Sequence, residues 1–396
     1  MSKKVYVIGV GMTKFTKPGD PAAPDYHIAG KEAILEALAD AGVGYDKVQQ
    51  AWTGYVYGDS CCGMRAVYEV GQTGIPIFNV NSNCSTGSSA LFGARQAVQS
   101  GAVDCALALG FEKMEKGMLM SKWNDRMNPM ELHAMTMMRL QEFKPAPPAA
   151  QMFGGAGAEY QKKYGAKNET FAKIQVKARQ HAQHNPKALF TEQVTVEEVL
   201  ASPHQYGPLT RLQCCPPTCG AGAAILASED FCRKNGIDVS KAVYIAAQHM
   251  ETDKPDSFKD SMMDMVGYGM AQRASKAVYE AAGIGPQDVN VVELHDCFTA
   301  NELITYEALG LTPEGTAEKF INDGNNTHGG KVVVNPSGGL LSKGHPLGAT
   351  GLAQCYELVH QLRGSADKRQ VAGAKVALQH NIGIGGACVV TMYRRG

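Results

Sequence analysis

Short β-branched runs alternate with Ala- and Gly-rich helical stretches along most of the chain, and this alternation restricts the fold more than any other feature. Val5–Val10 reads as a strand and Asp25–Ala41 as a helix closed by Gly42. Ile75–Val80 leads as a strand into a helix over Ser85–Ser100, and Asp104–Leu109 is the next strand. The pattern resumes with strands at Ala221–Ala227 and Val243–Gln248, a helix near Gly269–Ala282 and a strand at Val289–Leu294. Lys331–Val334, Lys375–Leu378 and Ala387–Tyr393 complete it. Such alternation predicts sheets covered by helices, an α/β fold.

A faint internal repeat runs through it. A strand, a small-residue turn and a helix occur over Ile77–Ser100 and again over Asn335–Leu362, each followed by a strand. Both helices open in small residues, Thr86-Gly87-Ser88-Ser89 and Gly348-Ala349-Thr350-Gly351. Two similar halves packed on each other are expected. Between core strands the composition shifts. Residues 113–205 hold Met114, Met118, Met120, Met127, Met130, Met135, Met137 and Met138, long charged helices and Lys144-Pro145-Ala146-Pro147-Pro148. This reads as an insertion, a common place for substrate contacts, although methionine stripes are mostly packing. The expected division is 1–112 for the first part of one half, 113–205 for the inserted loop domain, 206–232 for a return strand and 233–396 for the second half.

Lys+Arg and Asp+Glu both number 38, so bulk charge supplies no argument for nucleic acid or an anionic membrane. The 11 cysteines are odd in number and follow no disulfide-framework spacing, which points to free thiols in a reducing compartment. No Cys-x-x-Cys or His-x-x-x-His grouping suggests structural zinc. The N-terminus lacks a secretion-signal layout, no apolar run reaches the ~18 residues of a membrane helix, and Arg394-Arg395-Gly396 is not the peroxisomal tripeptide. A soluble, intracellular, cytoplasmic protein is expected, peroxisomal only if a partner or a missing module directs it there.

Four segments carry chemistry. Cys84 lies in Asn81-Ser82-Asn83-Cys84-Ser85-Thr86-Gly87, between a strand and a helix. A cysteine on that turn sits near the positive end of the helix, where the thiolate is favoured; the competing reading is a cysteine that merely packs. His295 and Cys297 lie at the expected end of the strand Val289–Leu294, and in extended chain residues two apart face one side. That pair can donate a hydrogen bond and shuttle a proton. His345, between Gly344 and Pro346, is held in a tight turn before a long helix, as a positioned base would be; alone it also fits a surface turn. His380-Asn381-Ile382-Gly383-Ile384-Gly385-Gly386 lets backbone N–H groups point into a cavity, as an oxyanion hole requires, or else is a plain turn between strands. Gly9-Val10-Gly11 is rejected as a dinucleotide fingerprint, because Lys14 stands where its third glycine belongs.

Together, Val5–Phe15, Asn79–Met114, Gln213–Glu229, Val291–Leu309, Asn335–Gly351 and Ala377–Tyr393 resemble the thiolase family, in particular its sterol carrier protein X type. The likeness runs over nearly the whole chain. It implies a thiolase fold of two βαβαβ-type halves in α-β-α-β-α layers with an inserted loop domain. It implies Cys84 as nucleophile and His345 as the base that takes its proton. Most thiolases have Asn-Glu-Ala-Phe where His295-Asp296-Cys297-Phe298 stands, and a Cys-x-Gly where Gly383-Ile384-Gly385 stands. By resemblance the acid/base cysteine is then Cys297, while His295 and His345 hold the thioester oxygen. The oxyanion donors are the N–H groups of Cys84 and Gly385. Cys219 departs from the aspartate usual before the Gly-Ala-Ala stretch, which leaves fine substrate positioning open.

The activity so implied is cleavage of 3-ketoacyl-CoA by CoA, or the reverse condensation, with coenzyme A as substrate and no tightly bound cofactor or metal. A condensing acyltransferase, a steroid side-chain aldolase-like enzyme and a non-catalytic CoA-ester-binding subunit are the alternatives. A homodimer is expected by resemblance, with a lipid-carrier or aldolase protein as a further partner and no nucleic acid.

Overall fold

The computed structural model describes residues 3–115, 117 and 123–396, so Met118 and Met120 lie outside the described residues. In chain order the strands are β1 (Val5–Met12), β2 (Gln50–Gly54), β3 (Ile77–Val80), β4 (Cys105–Glu112), β5 (His204–Tyr206) and β6 (Leu209–Thr210). They continue with β7 (Gly220–Ser228), β8 (Val243–Glu251), β9 (Val291–Glu293), β10 (Val333–Val334), β11 (Val376–Ile382) and β12 (Cys388–Arg395).

All but β5 and β6 join in one hydrogen-bonded array, β10-β9-β11-β12-β8-β1-β7-β4-β2-β3. Read outward from the middle, its halves are the same object. Each runs third-second-fourth-fifth-first from its outer edge. In each, the second, third and fourth strands are parallel. In each, the fifth is antiparallel to both the fourth and the first. The faint repeat in the sequence is thus a repeat of topology. The halves join where β1 pairs with β8 at Tyr6–Tyr244 and Val7–Val243.

Alternation along the strands builds the layers. On β4, Ala106 and Ala108 face a core shared with the helices Thr86–Gln99 and Thr350–Arg363, while Leu107 and Leu109 face the opposite side with Ala33, Ile34 and Ala37. A strand buried on both faces carries apolar residues at successive positions rather than alternating ones. The two helices form the middle layer, with Leu91, Val98, Leu352 and Val359 packed among strand residues of both halves. Helix Tyr26–Ala41 covers one outer face and helix Tyr268–Ala282 the other. The layering is α-β-α-β-α.

Gly9-Val10-Gly11 has a packing explanation. A Cβ at Gly9 would lie 2.1 Å from the Ala37 carbonyl oxygen, and one at Gly11 2.2 Å from that of Ala33. The glycines let helix Tyr26–Ala41 lie directly on β1, and Asp25 caps the helix by accepting the Tyr26 N–H at 2.7 Å.

Between β4 and β7 stand the helices Glu131–Leu140, Pro148–Tyr164, Asn168–Ala182 and Val196–Ala201 and the small β5–β6 hairpin. This region packs on the second half, with Met137, Phe153, Tyr160 and Phe171 in one core with Leu303 and Tyr306. Its methionines divide: Met114 and Met137 are buried, Met127, Met135 and Met138 exposed.

Two expectations are corrected. The strand expected over Val289–Leu294 ends at Glu293, and the Asp296 N–H closes a turn onto the Leu294 carbonyl at 3.1 Å. His295 and Cys297 therefore lie in a turn, and the same-face rule for extended chain does not apply to them. His380 was expected after a strand ending at Leu378; it lies inside β11, opposite Val390.

Candidate active site

Cys84 stands on the turn between β3 and the helix Thr86–Gln99. Asn83 before it takes a left-handed conformation (φ +53°), which asparagine tolerates better than most residues. The Thr86 hydroxyl accepts the Ser82 N–H at 2.9 Å and donates to the Asn83 carbonyl at 2.6 Å, tying the turn. The helix end, expected to favour the thiolate, is outweighed here. Burial pushes the Cys84 thiol up to about 12, Glu112 adds to the rise, and the residue's own N–H opposes it only in part. Desolvation outweighs the helix terminus, so a base must remove the proton.

The glycine loop between β11 and β12 lies against that turn. A Cβ at Gly383 would come 2.3 Å from the Ser82 carbonyl oxygen and 2.8 Å from the Cys84 nitrogen; one at Gly386 would come 2.2 Å from the same oxygen. The Gly383 and Gly386 N–H groups are spent inside the loop, on Ala387 and Gly383 carbonyls. The Gly385 N–H has no partner among the described residues. Asn83 fastens the loop by donating from Nδ2 to the Ile384 carbonyl at 2.8 Å.

His295 and His345 meet edge to face, ring centroids 5.0 Å apart at 84°. One ligating atom from each lies with the Cys84 sulfur in a group spanning no more than 4.8 Å. The hydrogen bonds assign the tautomers. The Thr350 hydroxyl donates to the Pro346 carbonyl at 3.0 Å, so its oxygen accepts from His345 Nδ1–H at 2.7 Å. His345 Nε2 is left as a bare acceptor, buried and without a partner. At His295 the order is reversed. Asn381 Nδ2 donates to His295 Nδ1 at 2.9 Å and to the Cys84 carbonyl at 3.1 Å, while its oxygen accepts the Ser88 hydroxyl at 2.8 Å. His295 Nε2 therefore carries the proton. Burial holds His345 down to about 3 and His295 well below its ordinary value, with His345 and His380 adding to the latter, so both rings are neutral. One ring offers a lone pair and the other an N–H, which is the equipment of a base and of an oxyanion donor. A metal ion at this point would have to displace the His295 Nε2 proton.

Cys297 lies beside this group rather than in it. Its thiol is buried and pushed well above the ordinary range, first by burial and then by Cys215 and Cys84. Sequence reasoning missed Cys215. Its N–H donates to the Cys297 carbonyl at 2.8 Å, and Cys214 and Phe298 bridge as antiparallel neighbours. Cys215 and Cys297 thus stand opposite each other. Asn381 was passed over as a neighbour of the glycines. Asp296 turns away from the cluster and accepts the Leu340 N–H at 2.7 Å, which anchors the segment leading to His345; burial raises its carboxyl to about 8. Cys219, in place of the usual aspartate, is buried and takes the Met114 N–H on its sulfur at 3.2 Å.

Comparison with known proteins matches residues 5–230 to the thiolase N-terminal domain and 254–393 to the thiolase C-terminal domain-like family. The chain belongs to the thiolase family. Sterol carrier protein 2 of Oryctolagus cuniculus is 58% identical over 395 residues, covering 99% of this chain and 72% of that protein. Among solved structures, the Ltp2-ChsH2(DUF35) aldolase superposes with a TM-score of 0.83 at 22% identity, covering 100% of this chain and 98% of that one. Human mitochondrial 3-ketoacyl-CoA thiolase in complex with CoA gives 0.72 at 20%, with coverage of 100% and 98%. At those identities the two structures speak to the fold. Among the described residues, no helix of this thiolase is long and apolar enough to cross a membrane.

Proposed function

We propose that this thiolase cleaves 3-ketoacyl-CoA with CoA, giving acetyl-CoA or propionyl-CoA and a shortened acyl-CoA, and runs the reverse condensation at the same site. The observation that carries the proposal is the pairing of a protonated Cys84 thiol with a bare His345 Nε2 and a protonated His295 Nε2 in one cluster, the two rings buried and Cys84 half-buried. His345 Nε2 takes the Cys84 proton, and the thiolate attacks the C3 carbonyl. The N–H groups of Cys84 and Gly385 hold the alkoxide. The C2–C3 bond then breaks, leaving an acyl group on Cys84 and an enolate on the departing CoA ester. His295 Nε2–H and the protonated His345 hold the enolate oxygen, and the Cys297 thiol delivers its proton to C2. The Cys297 thiolate recovers a proton from the incoming CoA thiol, whose sulfur displaces the acyl group from Cys84, and the Cys84 thiolate so released takes back the proton held on His345 Nε2. Covalent capture divides one difficult step into two easier ones, and each oxyanion meets donors already in place.

A retro-aldol cleavage needs a base but no nucleophilic thiol, so the placement of Cys84 beside His345 favours thiolysis. The deciding experiment is thiolysis of acetoacetyl-CoA and of a long-chain 3-ketoacyl-CoA by wild type and Cys84→Ala. Cleavage by wild type alone is expected, and the faster substrate ranks chain length. More than a few per cent of wild-type thiolysis by Cys84→Ala would sink the nucleophile assignment. A wild type that cleaves neither substrate, with Cys84 still alkylated, would overturn the proposed activity.

A further inference from the structure

We infer that Glu112 is a positioning residue that sets the Cys84–His345 geometry from the backbone joint where the two halves meet. This rests on the reading of Cys84 as nucleophile and His345 as its base. Glu112 is the last residue of β4 and is 1% exposed. Its carboxylate gathers three backbone N–H groups: Tyr57 at 2.8 Å, Val56 at 3.2 Å and Gly348 at 2.9 Å. The first two belong to the loop after β2, in the half that carries Cys84. The third belongs to the turn that carries His345, three residues after it.

The joint around that carboxylate has no slack. A Cβ at Gly348 would lie 2.3 Å from the Phe111 carbonyl oxygen and 2.8 Å from that of Gly54. One at Gly110 would lie 2.1 Å from the Gly348 carbonyl oxygen, and one at Gly87 would lie 2.6 Å from it. The His345 turn is therefore seated directly on the ends of β2 and β4 and on the first turn of the helix that follows Cys84. Leu347, in the same turn, packs with Met114 and Cys219 against Cys84. Steric contact decides how near the backbones come, and Glu112 decides their register. It is the side chain that bonds both halves at this point, using bonds that a charged acceptor strengthens.

The location is an expensive one for a carboxylate. Burial drives Glu112 up to about 7, and what offsets the burial is the same three N–H groups. Its charge also raises Cys84, Tyr57 and Cys219. A test of position must therefore keep that charge. Glu112→Asp does so while withdrawing the carboxylate by one methylene, too far to reach both halves.

The assay is the rate of Cys84 alkylation by iodoacetamide at a pH well above the Glu112 midpoint of about 7, where the carboxylate is charged, measured in a double-mutant cycle with His345→Ala. It needs no acyl-CoA turnover, so its failure is separate from failure of the thiolysis reading. Glu112→Asp is expected to slow alkylation by about tenfold or more when His345 is present and by less than twofold when position 345 is alanine, because residues acting through one another are not additive. In turnover the loss should fall on kcat with KM little changed. Wild-type alkylation in Glu112→Asp, or losses that multiply independently with His345→Ala, would overturn the inference. Should Glu112→Asp fail to fold, Glu112→Gln keeps the side-chain shape but presents a donor where an acceptor is needed. It goes through the same cycle, each protein being compared at the same interval below its own Cys84 midpoint so that the lost charge drops out. The same two outcomes then decide.

Discussion

Thr350→Val tests whether a hydroxyl five residues beyond His345 sets that ring's tautomer. Valine keeps the shape of threonine and removes the oxygen. The Pro346 carbonyl loses the Thr350 hydroxyl but still accepts the N–H groups of Ala349 and Thr350, each at 2.9 Å. His345 Nδ1–H, bonded at 2.7 Å in a site 5% exposed, loses its acceptor. A buried donor left unsatisfied costs about 1–3 kcal/mol. Nε2 has no partner either, so without Thr350 nothing keeps the proton on Nδ1 or the ring in place. The fraction of rings presenting a bare Nε2 to Cys84, and kcat with it, should then fall about fivefold or more. KM should change little, since nothing that meets the substrate is altered. Thr350→Ser retains the oxygen and should recover most of the rate. The assay is steady-state thiolysis for the three proteins, with iodoacetamide capture of Cys84 as a readout independent of substrate. A Thr350→Val enzyme folded like wild type and within twofold of its kcat would refute the tautomer assignment.

Cys297→Ala should lose enolate protonation, so hydrogen–deuterium exchange at C2 of acetyl-CoA should fall to background while Cys84 is still acylated; undiminished exchange would assign the proton to another group. Gly383→Ala forces a Cβ to within 2.3 Å of the Ser82 carbonyl and displaces the oxyanion loop, so kcat should drop about 10²–10³-fold with Cys84 still alkylated. A change below threefold would remove this loop from the site. Burial holds His181 down to about 3, whereas an unfolded histidine titrates near ~6.5. Its sign follows: as pH falls below ~6.5 the unfolded chain binds a proton that the folded one refuses until about 3, so stability is lost across that window. His181→Gln should flatten the urea-unfolding slope between pH 6 and 4 by up to about 1.4 kcal/mol per pH unit, and parallel slopes would contradict it.

Features that depend on near neighbours in the chain were legible in the sequence. Strand, small-residue turn and helix follow one another around Cys84, and glycine and proline flank His345, so both places can be read from a dozen residues. The repeat was legible for the same reason, since each half writes the same local order twice. What was not legible depends on chain brought from far away. Cys215 enters only because Cys214 bridges to Phe298, and Glu112 looks like an ordinary polar strand end until the Gly348 turn arrives to bury it. Asn381 joins the site by reaching Cys84 from 297 positions away in the chain. Two local inferences failed for physical reasons. The two-residue face rule did not survive the turn closed by Asp296, and the helix terminus behind Cys84 yielded to desolvation. That second failure bears most on mechanism. A thiol already ionised would need no partner, whereas one pushed up to about 12 needs a base, and the bare Nε2 of His345 lies beside it. The contacts that aim His345, from Thr350 on the ring and Glu112 on the backbone, are then expected to set the rate through its placement.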